Sequence, residues 1–579
     1  MKGRYHLTLS IIVLLIICLI TGCTGGKFTE EDSVSSGDEP AADSENKELT
    51  DINDDNLNPP GVLPIVKEPV ELSIYAFIHP FSKVTDYRNN YFTEWLEEKT
   101  NIRLDFVIVP EDEIYTRLTL LLTSEELPDI LLVNGFDALT QDIYGERGII
   151  LALNDYIEEY GTETKKMFEL YPEVREALVR SDGKIYCLPQ ISDPRSGDSP
   201  CKFWIYEPFL EALGMEMPAT TDELYDYLKA VKTGDPNGNG KSDEIPLAGC
   251  TAYYTWSPVT YLMNAFIYDD NNEKIIVNNG VLEPVYIKDE YKEGLKYIHQ
   301  LYKEELIMPE TFINTFEQLQ ELVNNPTPIV GMLPTHAPFI ITEDRAPDYK
   351  VLPPVKGPTD LGGYASTNYT TNTTGPVISG NCRYPEAAFR LLDFFYTEEA
   401  SISVLNGIRG VEWDYNHDPN LLTDDGKTAK SKALTHSVRE NSVWPMITNF
   451  HRPPSFTDYW VDDSPEGRRI REEAKEGNHD PRAIGIKMFD EAQKLVYANY
   501  APPDDIRFPQ VILFTEDEGS EVAELRSGIH SYLHDMKMQF IMGEMDIDAE
   551  WDSYIRQLEQ LGLDRYMELN QRAYDRQYK

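Results

Sequence analysis

The sequence has few basic residues for its size, and this shortage disfavours whole classes of function. Of its 579 residues, 52 are Lys or Arg and 99 are Asp or Glu, which gives a formal net charge of −47 at pH 7. A nucleic-acid-binding protein needs a basic surface for the phosphates, and wide contact with anionic lipid needs one too. Neither function therefore fits this composition. Net charge acts on solubility and on the steering of ligands, so it does not name a ligand.

Cysteine is also scarce, and long apolar runs are confined to the N-terminus. The six cysteines include no CxxC pair, which disfavours a zinc ribbon or a thioredoxin-type site. Two lie within the first 23 residues, and the other four allow three disulfide pairings: Cys187, Cys201, Cys250 and Cys382. Cys187 and Cys201 lie on neighbouring strand-like runs that a hairpin could join, and free thiols explain them equally well. Beyond the N-terminus no stretch of about 18 apolar residues occurs, so we expect the rest of the chain to lie outside the membrane.

The first residues have the pattern of a signal peptide. Lys2 and Arg4 precede an apolar segment, residues 9–20, that is short for a membrane span. The segment ITGC, which ends at Cys23, resembles the bacterial lipobox, in which the cysteine is diacylated and becomes the first mature residue. We predict that residues 1–22 are removed and that Cys23 carries the membrane anchor, since two acyl chains suffice for stable anchoring. The alternative is an ordinary signal peptide with a chance cysteine.

A polar linker is predicted over residues 23–69. It is rich in Ser, Asp, Glu, Asn and Gly up to about Pro60 and has few apolar residues. Such a segment cannot bury enough apolar surface to fold, so we expect a disordered acidic tether that gives the body reach from the membrane.

From about Val70 the sequence alternates predicted strands and helices. The runs VELSIYAFI, YFTEWLEEKT, IRLDFVIVP, EIYTRLTLLLTS and DILLVNG give the order βαβαβ, which predicts a parallel sheet covered by helices. A second α/β region starts near Lys202, and its first long helix opens with a capping box at Thr220. The C-terminus is predicted to be helical from about Val522. With 22 Phe, 35 Tyr and 7 Trp, the chain can bury a large core.

The segment DPNGNGKSDE, residues 235–244, has the spacing of a calcium loop. Oxygen-bearing side chains occupy loop positions 1, 3, 5 and 9, and a glycine at position 6 permits the sharp turn. An EF-hand has a bidentate Glu at position 12, where this chain has Pro246, so Glu244 would supply that carboxylate and no exiting helix can follow. The predicted ligands are the side chains of Asp235, Asn237, Asn239, Asp243 and Glu244 and the backbone carbonyl of Lys241. A plain Pro-Asn-Gly turn is the alternative, and a calcium ion here is expected to be structural.

Several blocks, taken in order, resemble the extracellular solute-binding protein family 1, the large sugar-binding lipoproteins of ABC importers. The blocks are LPDILLV, LNDYIEEYG, SDGKIYCLP, LEALGMEMPATTDELYDYLKAVKTGDPNGNGKSDEIPL, YKEGLKYIHQLYKEELIMPETF, YPEAAFRLLDFFYTEEA and WDSYIRQLEQLGLDRYMELNQRAYDR. They cover the chain from about Val70 to its end. One departure is Cys187, where relatives commonly have Gly before Leu-Pro.

The resemblance implies a two-lobed α/β fold of the periplasmic-binding-protein type II, with crossing hinge segments and a ligand in the interlobe cleft. We expect residues 70–190 plus about 328–395 in the N-terminal lobe, and about 191–327 plus about 396–579 in the C-terminal lobe. It implies an oligosaccharide ligand bound by hinge closure, a structural calcium ion in the loop at residues 235–244, and no enzymatic activity. The implied partners are the membrane subunits of the importer, with the protein a lipid-anchored monomer on the outer face of the bacterial cytoplasmic membrane.

Aromatic side chains are the candidates for sugar contacts, because rings stack on the apolar C–H faces of sugars while amides and carboxylates meet the hydroxyls. The candidates are Trp204, Tyr253, Tyr254, Trp256, Trp413 and Trp444. Core packing is the alternative for each ring. Arg409, near two glycines, could meet an acidic sugar or be an ordinary surface charge.

Two other functions compete with import. A secreted polysaccharide-degrading enzyme needs a pair of carboxylates, which counting alone cannot exclude, but neither HExxH nor GxSxG occurs. His530 and His534 are four apart on a predicted helix without a third ligand nearby, which favours an exposed helix face. A sugar-sensing lipoprotein that feeds a signalling partner would have the same fold.

Overall fold

A computed structural model describes most of the chain from residue 56 to its C-terminus. The described residues are 56–78, 86–110, 113–133, 136–191, 202–250, 257–270, 272–336, 340–342, 344–366, 371–372, 374–423, 426–435, 444, 460–475, 488, 491–492, 495–496 and 499–579. All belong to one unit, Ile52–Lys579. The predicted signal peptide, Cys23 and the predicted linker up to residue 55 lie outside the described residues, and so do Cys201, Tyr253, Tyr254 and Trp256.

The first part of the body is a parallel sheet with helices, which confirms the predicted βαβαβ order. Its elements are β1 (Val70–Ile78), α1 (Tyr91–Thr100), β2 (Ile102–Pro110), α2 (Ile114–Ser124), β3 (Ile130–Leu131), α3 (Ala138–Glu146), α4 (Asn154–Tyr160), α5 (Glu163–Leu170), α6 (Pro172–Leu178) and β4 (Gln190–Ile191). Strand β1 pairs in parallel with β2 from Val70–Ile102 to Ile78–Pro110, and in parallel with β3 at Ile74–Ile130. The runs are nearly all apolar because the strands are covered by helices.

The second part forms another sheet. Its elements are β5 (Phe203–Tyr206), α7 (Glu207–Leu213), α8 (Thr221–Thr233), β6 (Ile245–Leu247), α9 (Pro258–Asn264), β7 (Ile275–Asn278), β8 (Val281–Pro284), α10 (Asp289–Lys303), α11 (Phe316–Val323), β9 (Val330–Pro334) and β10 (Tyr349–Leu352). The sheet order is β10-β5-β9-β6, in which β9 is parallel to β6 and β5 is antiparallel to both β9 and β10. The predicted capping box of α8 is present: Thr220 accepts from the Glu223 N–H, and the Glu223 carboxylate accepts from the Thr220 N–H.

The chain then returns to the first sheet. Strand β11 (Thr371–Asn372) pairs antiparallel with β4, and β12 (Val377–Ile378) pairs antiparallel with β3, which completes the order β12-β3-β1-β2. Helices α12 (Pro385–Phe394) and α13 (Glu398–Asn406) follow, and then a small sheet of β13 (Trp413–Tyr415), β14 (Ser431–Ala433) and β15 (Trp460–Asp462). Buried Asp393 in α12 accepts the backbone N–H groups of Thr162 at 3.1 Å and Thr164 at 2.8 Å, which fastens α5 to α12.

Among the described residues of the C-terminal part, four further helices have given bounds. They are α14 (Pro465–Lys475), α15 (Glu516–Met542), α16 (Ile547–Gln560) and α17 (Leu563–Tyr578). The last three confirm the predicted helical C-terminus. Trp551 is buried beside Phe540 and Tyr554, so these helices pack through aromatic rings.

Most of the buried apolar side chains in the described part of the chain group into two cores. The first draws on residues 65–188 and 377–404 and on Trp444, and the second on residues 203–355 and 492–573 with the addition of Leu139. The chain therefore passes between the cores at about residues 188–203 and 355–377, and again between 444 and 492.

The two cores correct part of the predicted lobe assignment. Strand Val330–Pro334 was expected with the N-terminal lobe, but it pairs with β5 and β6 in the second sheet. Residues 396–404, expected in the C-terminal lobe, contribute to the first core. An apolar run such as PIVGMLP fits any buried sheet, so its pattern does not show which sheet it joins. The lobe boundaries themselves stay a prediction.

Among the described residues, no helix is both long and apolar enough to cross a membrane.

Candidate functional site

The two sheets each present an edge that is suited to a ligand. In the first sheet β1, β2 and β3 are parallel, so their carboxyl ends share one edge. In the second sheet β6, β9 and β10 run in the same direction, and their carboxyl ends share an edge with the start of the antiparallel β5. Open α/β sheets bind ligands beyond the carboxyl ends of their strands. The predicted ring residues at 253–256 come after β6 in the sequence and lie outside the described residues.

A buried polar side chain at the second edge, Lys202, was not predicted from the sequence. Lys202 directly precedes β5 and is 1% exposed, and its Nζ donates to the carbonyl of His336, which follows β9, at 3.4 Å. The backbone of Thr335 also donates to the Lys202 carbonyl at 2.9 Å. The available signal was a lysine placed immediately before the wholly apolar strand FWIY. A buried ammonium group must be held by oxygen acceptors, so Lys202 ties the start of β5 to the end of β9.

A cleft of about 520 Å³ lies after the carboxyl end of β10. We call it the proline–tyrosine cleft, and it is lined by Met217, Pro218, Ala219, Pro353, Pro354, Lys356, Asp360, Gly362, Gly363, Tyr364 and Tyr500. Its volume lies in the range of about 300–1,000 Å³ that small-molecule sites occupy. Prolines and two tyrosine rings supply apolar faces, and the exposed Lys356 and Asp360 supply charges at the rim.

The loop that forms this cleft is held in place by backbone contacts. The Lys356 N–H donates to the carbonyl of Ala219 at 2.9 Å, and the Thr221 N–H donates to the Lys356 carbonyl at 3.1 Å, so the loop is fastened to the start of α8. A Cβ atom at Gly362 would lie 2.1 Å from the carbonyl oxygen of Ala265, so only glycine allows this close approach. Backbone contacts on both sides of the cleft therefore fix its shape.

Three predicted sugar-stacking residues are buried in the structure. Trp204 is 1% exposed, and Trp413 and Trp444 are 0% exposed. Their indole N–H groups donate within the protein: Trp204 to the Thr335 carbonyl at 3.1 Å, and Trp444 to the Thr93 hydroxyl at 2.8 Å. A ring needs an open face to stack on a sugar. We therefore assign these three residues to core packing, the alternative that the sequence left open.

Ring contacts and hydrogen bonds hold two of these indoles in place. Trp444 has edge contacts with several rings of the first core, at centroid distances of 5.6–6.0 Å: Tyr87, Phe92, Phe106 and Phe395. The Trp413 N–H donates to the Gly407 carbonyl at 2.9 Å and to the Ser403 hydroxyl at 3.2 Å. Burial hides most of the ring area of both residues from any ligand.

Arg409 lies in a local charge cluster. Its Nη1 is 2.9 Å from a carboxylate oxygen of Glu399, its Nε is 4.0 Å from Asp414, and its guanidinium lies 5.4 Å from the ring centre of Tyr415. The side chain is 40% exposed. Its charge is thus compensated by neighbours, and a ligand contact at Arg409 stays a prediction.

The thiols show no metal or redox arrangement in the described part of the chain. Cys187 is buried as a thiol, and burial raises its pKa to about 12. Cys250 is also buried, whereas Cys382 is a partly exposed free thiol whose pKa is raised by burial. A thiol with a raised pKa is a poor nucleophile and a poor metal ligand at neutral pH.

The predicted calcium loop lies at the opposite edge of the second sheet from the proline–tyrosine cleft. It connects the end of α8 to the start of β6. Asp235 accepts the N–H groups of Asn239 and Gly240 at 2.9 Å each, and the Asn237 side-chain amide donates to the carbonyl of Pro328 at 3.1 Å. The loop therefore binds the start of β6 to the segment that leads into β9.

The environment of the Glu244 carboxylate indicates whether this loop fits a cation. Both of its carboxylate oxygens are buried and accept no hydrogen bond in the structure. Burial raises the pKa of Glu244, the charges of Asp235 and Asp243 add to the rise, and the nearby backbone N–H groups of Glu244 and Asn237 oppose it only in part. No three His, Cys, Asp or Glu side chains come together as metal ligands among the described residues. Calcium loops also use amide and backbone carbonyl oxygens, so the fit rests on Glu244, a buried carboxylate that lacks the partner a hard cation would provide.

The chain belongs to a family of binding proteins. Residues 82–402 match the family described as bacterial extracellular solute-binding protein. The fold is a mixed α/β fold of the periplasmic-binding-protein type II, as the resemblance implied. Membership in a binding family also confirms the expectation that the chain is not an enzyme.

Individual relatives extend the comparison. The fructooligosaccharide ABC transporter substrate-binding protein FusA of Streptococcus pneumoniae is 26% identical over 490 residues, which cover 83% of this chain and 86% of FusA. The polygalacturonan/rhamnogalacturonan-binding protein YtcQ of Bacillus subtilis is 27% identical over 228 residues, 39% of this chain and 43% of YtcQ.

Solved structures share the fold. FusA from S. pneumoniae in complex with kestose has a TM-score of 0.69 and 23% identity, and the match covers 87% of this chain and 99% of FusA. A FusA EF-hand mutant in complex with fructo-nystose has a TM-score of 0.68 at 23% identity with the same coverage.

Proposed function

We propose that this chain is the ligand-binding component of an ABC importer and that its ligand is an oligosaccharide. The observation that carries the proposal is the proline–tyrosine cleft at the carboxyl edge of the second sheet, in a chain that is similar to FusA over most of its length. Tyr364 and Tyr500 offer rings to the C–H faces of a sugar, and Lys356 and Asp360 offer partners for hydroxyls.

Binding would couple to movement of the two cores. The segments that connect them include β4 and β11, which pair at Ile191–Thr371 and Gln190–Asn372. Two short paired strands can bend together, which is the behaviour of a hinge. A sugar that contacts both carboxyl edges has more contacts when the cores are closed and therefore favours the closed state. The closed form would then dock on the importer's membrane subunits.

We also propose that the loop at residues 235–244 holds a calcium ion. The ligands would be the side chains of Asp235, Asn237, Asn239, Asp243 and Glu244 and the carbonyl of Lys241. The ion would supply positive charge to a buried carboxylate and fasten α8 to β6. Its place at the edge opposite the cleft supports a structural role rather than contact with the ligand.

The membrane anchor is the third part of the proposal. Cys23 would be diacylated and would hold the protein as a monomer on the outer face of the bacterial cytoplasmic membrane. Where the described chain begins, buried Arg390 donates to the carbonyls of Pro59 and Val62 at 3.0 and 3.1 Å, and also to those of Asn58 and Ile65. The expectation of a disordered linker is therefore wrong for residues 56–69, where Ile65 and Val66 are buried in the first core.

A binding titration with matched variants tests the ligand. The mature chain is titrated with neutral fructans and with galacturonate oligosaccharides, and the same titration is run on Tyr364→Ala, Tyr500→Ala and the control Tyr115→Ala. Tyr115 is 62% exposed on α2, away from the cleft. We expect one sugar class to bind and each cleft variant to weaken it about 5- to 30-fold, since a ring contact contributes roughly 1–2 kcal/mol, whereas the control binds like the parent. Binding that neither cleft variant changes would place the ligand elsewhere.

A further inference from the structure

The two cores touch each other through α3 and α15. Leu139 and Ile143 of α3 pack with the second core, whereas Tyr144 of the same helix and Phe136 just before it pack with the first. A Cβ atom placed on Gly519 of α15 would lie 2.8 Å from Leu139 Cδ1, so the two helices approach closely at this glycine. The contact lies just after β3, at the carboxyl edge of the first sheet.

An ion pair joins the cores at the same place. Nη1 of Arg526, in α15, is 2.8 Å from Oδ2 of Asp137, and the two residues are 389 positions apart in the chain. Oδ1 of Asp137 accepts the N–H of Thr140 at 2.9 Å and its hydroxyl at 2.6 Å. Asp137 is thus the N-cap of α3, and capping holds its carboxylate in a set orientation on the first core.

Arg526 is held equally firmly on the second core. Its Nη2 is 2.5 Å from Oε1 of Glu273, and Oε2 of Glu273 accepts the hydroxyl of Tyr566 at 2.7 Å. Glu273 is 14% exposed, and Arg526 is 27% exposed. Burial alone would lower the pKa of the Arg526 guanidinium, but the carboxylates of Glu273 and Asp137 more than offset it and raise the pKa, so the side chain stays charged at physiological pH. Each partner of the interlobe pair is therefore oriented before the cores meet.

We propose that Arg526 is a positioning residue, which through Asp137 limits how far the two cores move apart at the ligand-binding edge in the ligand-free protein. This inference rests on the proposed function, because it concerns the closure that a ligand exploits. With the pair in place, the carboxyl edges of the two sheets start near the arrangement that a ligand bridges, and the ligand does not have to order them itself. Without the pair, the free protein samples a wider range of core-to-core distances, and affinity falls although no ligand contact is lost.

Distance measurement with conservative variants tests this inference. Spin labels are introduced as unnatural amino acids at Thr123 and Glu559, which are exposed on the first and second cores. Arg526→Met keeps an unbranched apolar stem and removes the guanidinium, and Asp137→Asn keeps an oxygen that can cap α3 while it removes the charge. Arg565→Met is the control, since Arg565 pairs with Glu521 at 2.8 Å within the second core.

The expected results separate the pair from general stability. Both Arg526→Met and Asp137→Asn broaden the distance distribution of the ligand-free protein and lower ligand affinity about 3- to 10-fold. Arg526→Lys recovers part of the effect because it keeps the charge but not the two-pronged geometry. The control Arg565→Met leaves both readouts unchanged. Gly519→Leu, which wedges the helices apart, shifts the distribution to longer distances.

Failure of the proposed function and failure of this inference give different experimental results. If no oligosaccharide binds the parent protein, the proposed function fails, but the ligand-free distance distributions still decide the positioning role. If those distributions match the parent in both Arg526→Met and Asp137→Asn, the inference is overturned, whatever the affinity measurements show.

Discussion

Replacing Glu244 by Gln should change stability in opposite directions with and without calcium. In the metal-free protein, the two buried oxygens of Glu244 have no side-chain donor and face the charges of Asp235 and Asp243, which nearby backbone N–H groups offset only in part. An uncompensated buried carboxylate destabilises the folded state. Glu244→Gln removes that charge at nearly constant volume, so we expect the variant to be as stable as the parent or more stable in a chelator.

With calcium the order reverses. A ligand that binds only the folded state stabilises it by about 2.7 kcal/mol at a concentration of about a hundred times its dissociation constant. With an unfolding entropy of roughly 2 cal/mol/K per residue, this corresponds to a rise in Tm of about 2–5 °C, depending on whether the second core unfolds alone or with the first. Glu244→Gln lacks the carboxylate that a calcium ion needs from this position, so most of that rise should disappear.

The assay is thermal unfolding at pH 7.5 in chelator and in millimolar calcium. Glu317→Gln, an exposed side chain in the first turn of α11, is a matched control that should respond to calcium like the parent. The reasoning is refuted if calcium leaves the parent Tm unchanged, or if Glu244→Gln responds to calcium as the parent does. A loss of stability in the chelator would also contradict it, because it would mean that the ionised Glu244 has a favourable partner.

Two further substitutions test the fold around the first core. Burial raises the pKa of Asp142 to about 6, and the charge of Arg180 opposes this rise only in part. Between about pH 4 and 6 the folded protein therefore holds a proton that the unfolded chain has lost. The free energy of unfolding falls by roughly 2–3 kcal/mol as the pH rises through this window. Denaturant unfolding of Asp142→Asn should lack this fall, so the variant gains on the parent between pH 4 and pH 8, and parallel curves would contradict the assignment. Arg390→Met should expose residues 58–65 to limited proteolysis while the cores stay folded. The control is Arg147→Met, which removes an exposed ion pair with Glu125. Equal cleavage of the two variants would refute the role of Arg390.

The elements that local pattern determines were predictable. The βαβαβ order, the capping box at Thr220 and the C-terminal helices all follow from side-chain periodicity and from residues close in sequence. The loop at residues 235–244 was visible for the same reason, since its oxygens recur at short fixed spacing. The family resemblance also depended on blocks of contiguous sequence, and the match over residues 82–402 confirms it.

Features that depend on distant residues were not predictable. Nothing in PIVGMLP shows that Val330–Pro334 lies between β5 and β6, because an apolar strand of this kind can pair in either sheet. The burial of Trp204 and Trp444 depends on neighbours from other elements. A tryptophan in the sequence does not show whether its side chain lies in a core or at the rim of a cleft. The contact of Arg526 with Asp137 joins two helices from opposite ends of the chain, and neither helix carries a local sign of it.

The measurement that tests the central claim most directly combines a titration with scattering. The mature chain, in calcium, is titrated calorimetrically with neutral and uronate oligosaccharides, and small-angle scattering is recorded on the same samples. The account predicts that one sugar class binds saturably at one site per chain and that the radius of gyration falls on binding. Absence of binding by every oligosaccharide, or binding without compaction, would contradict it.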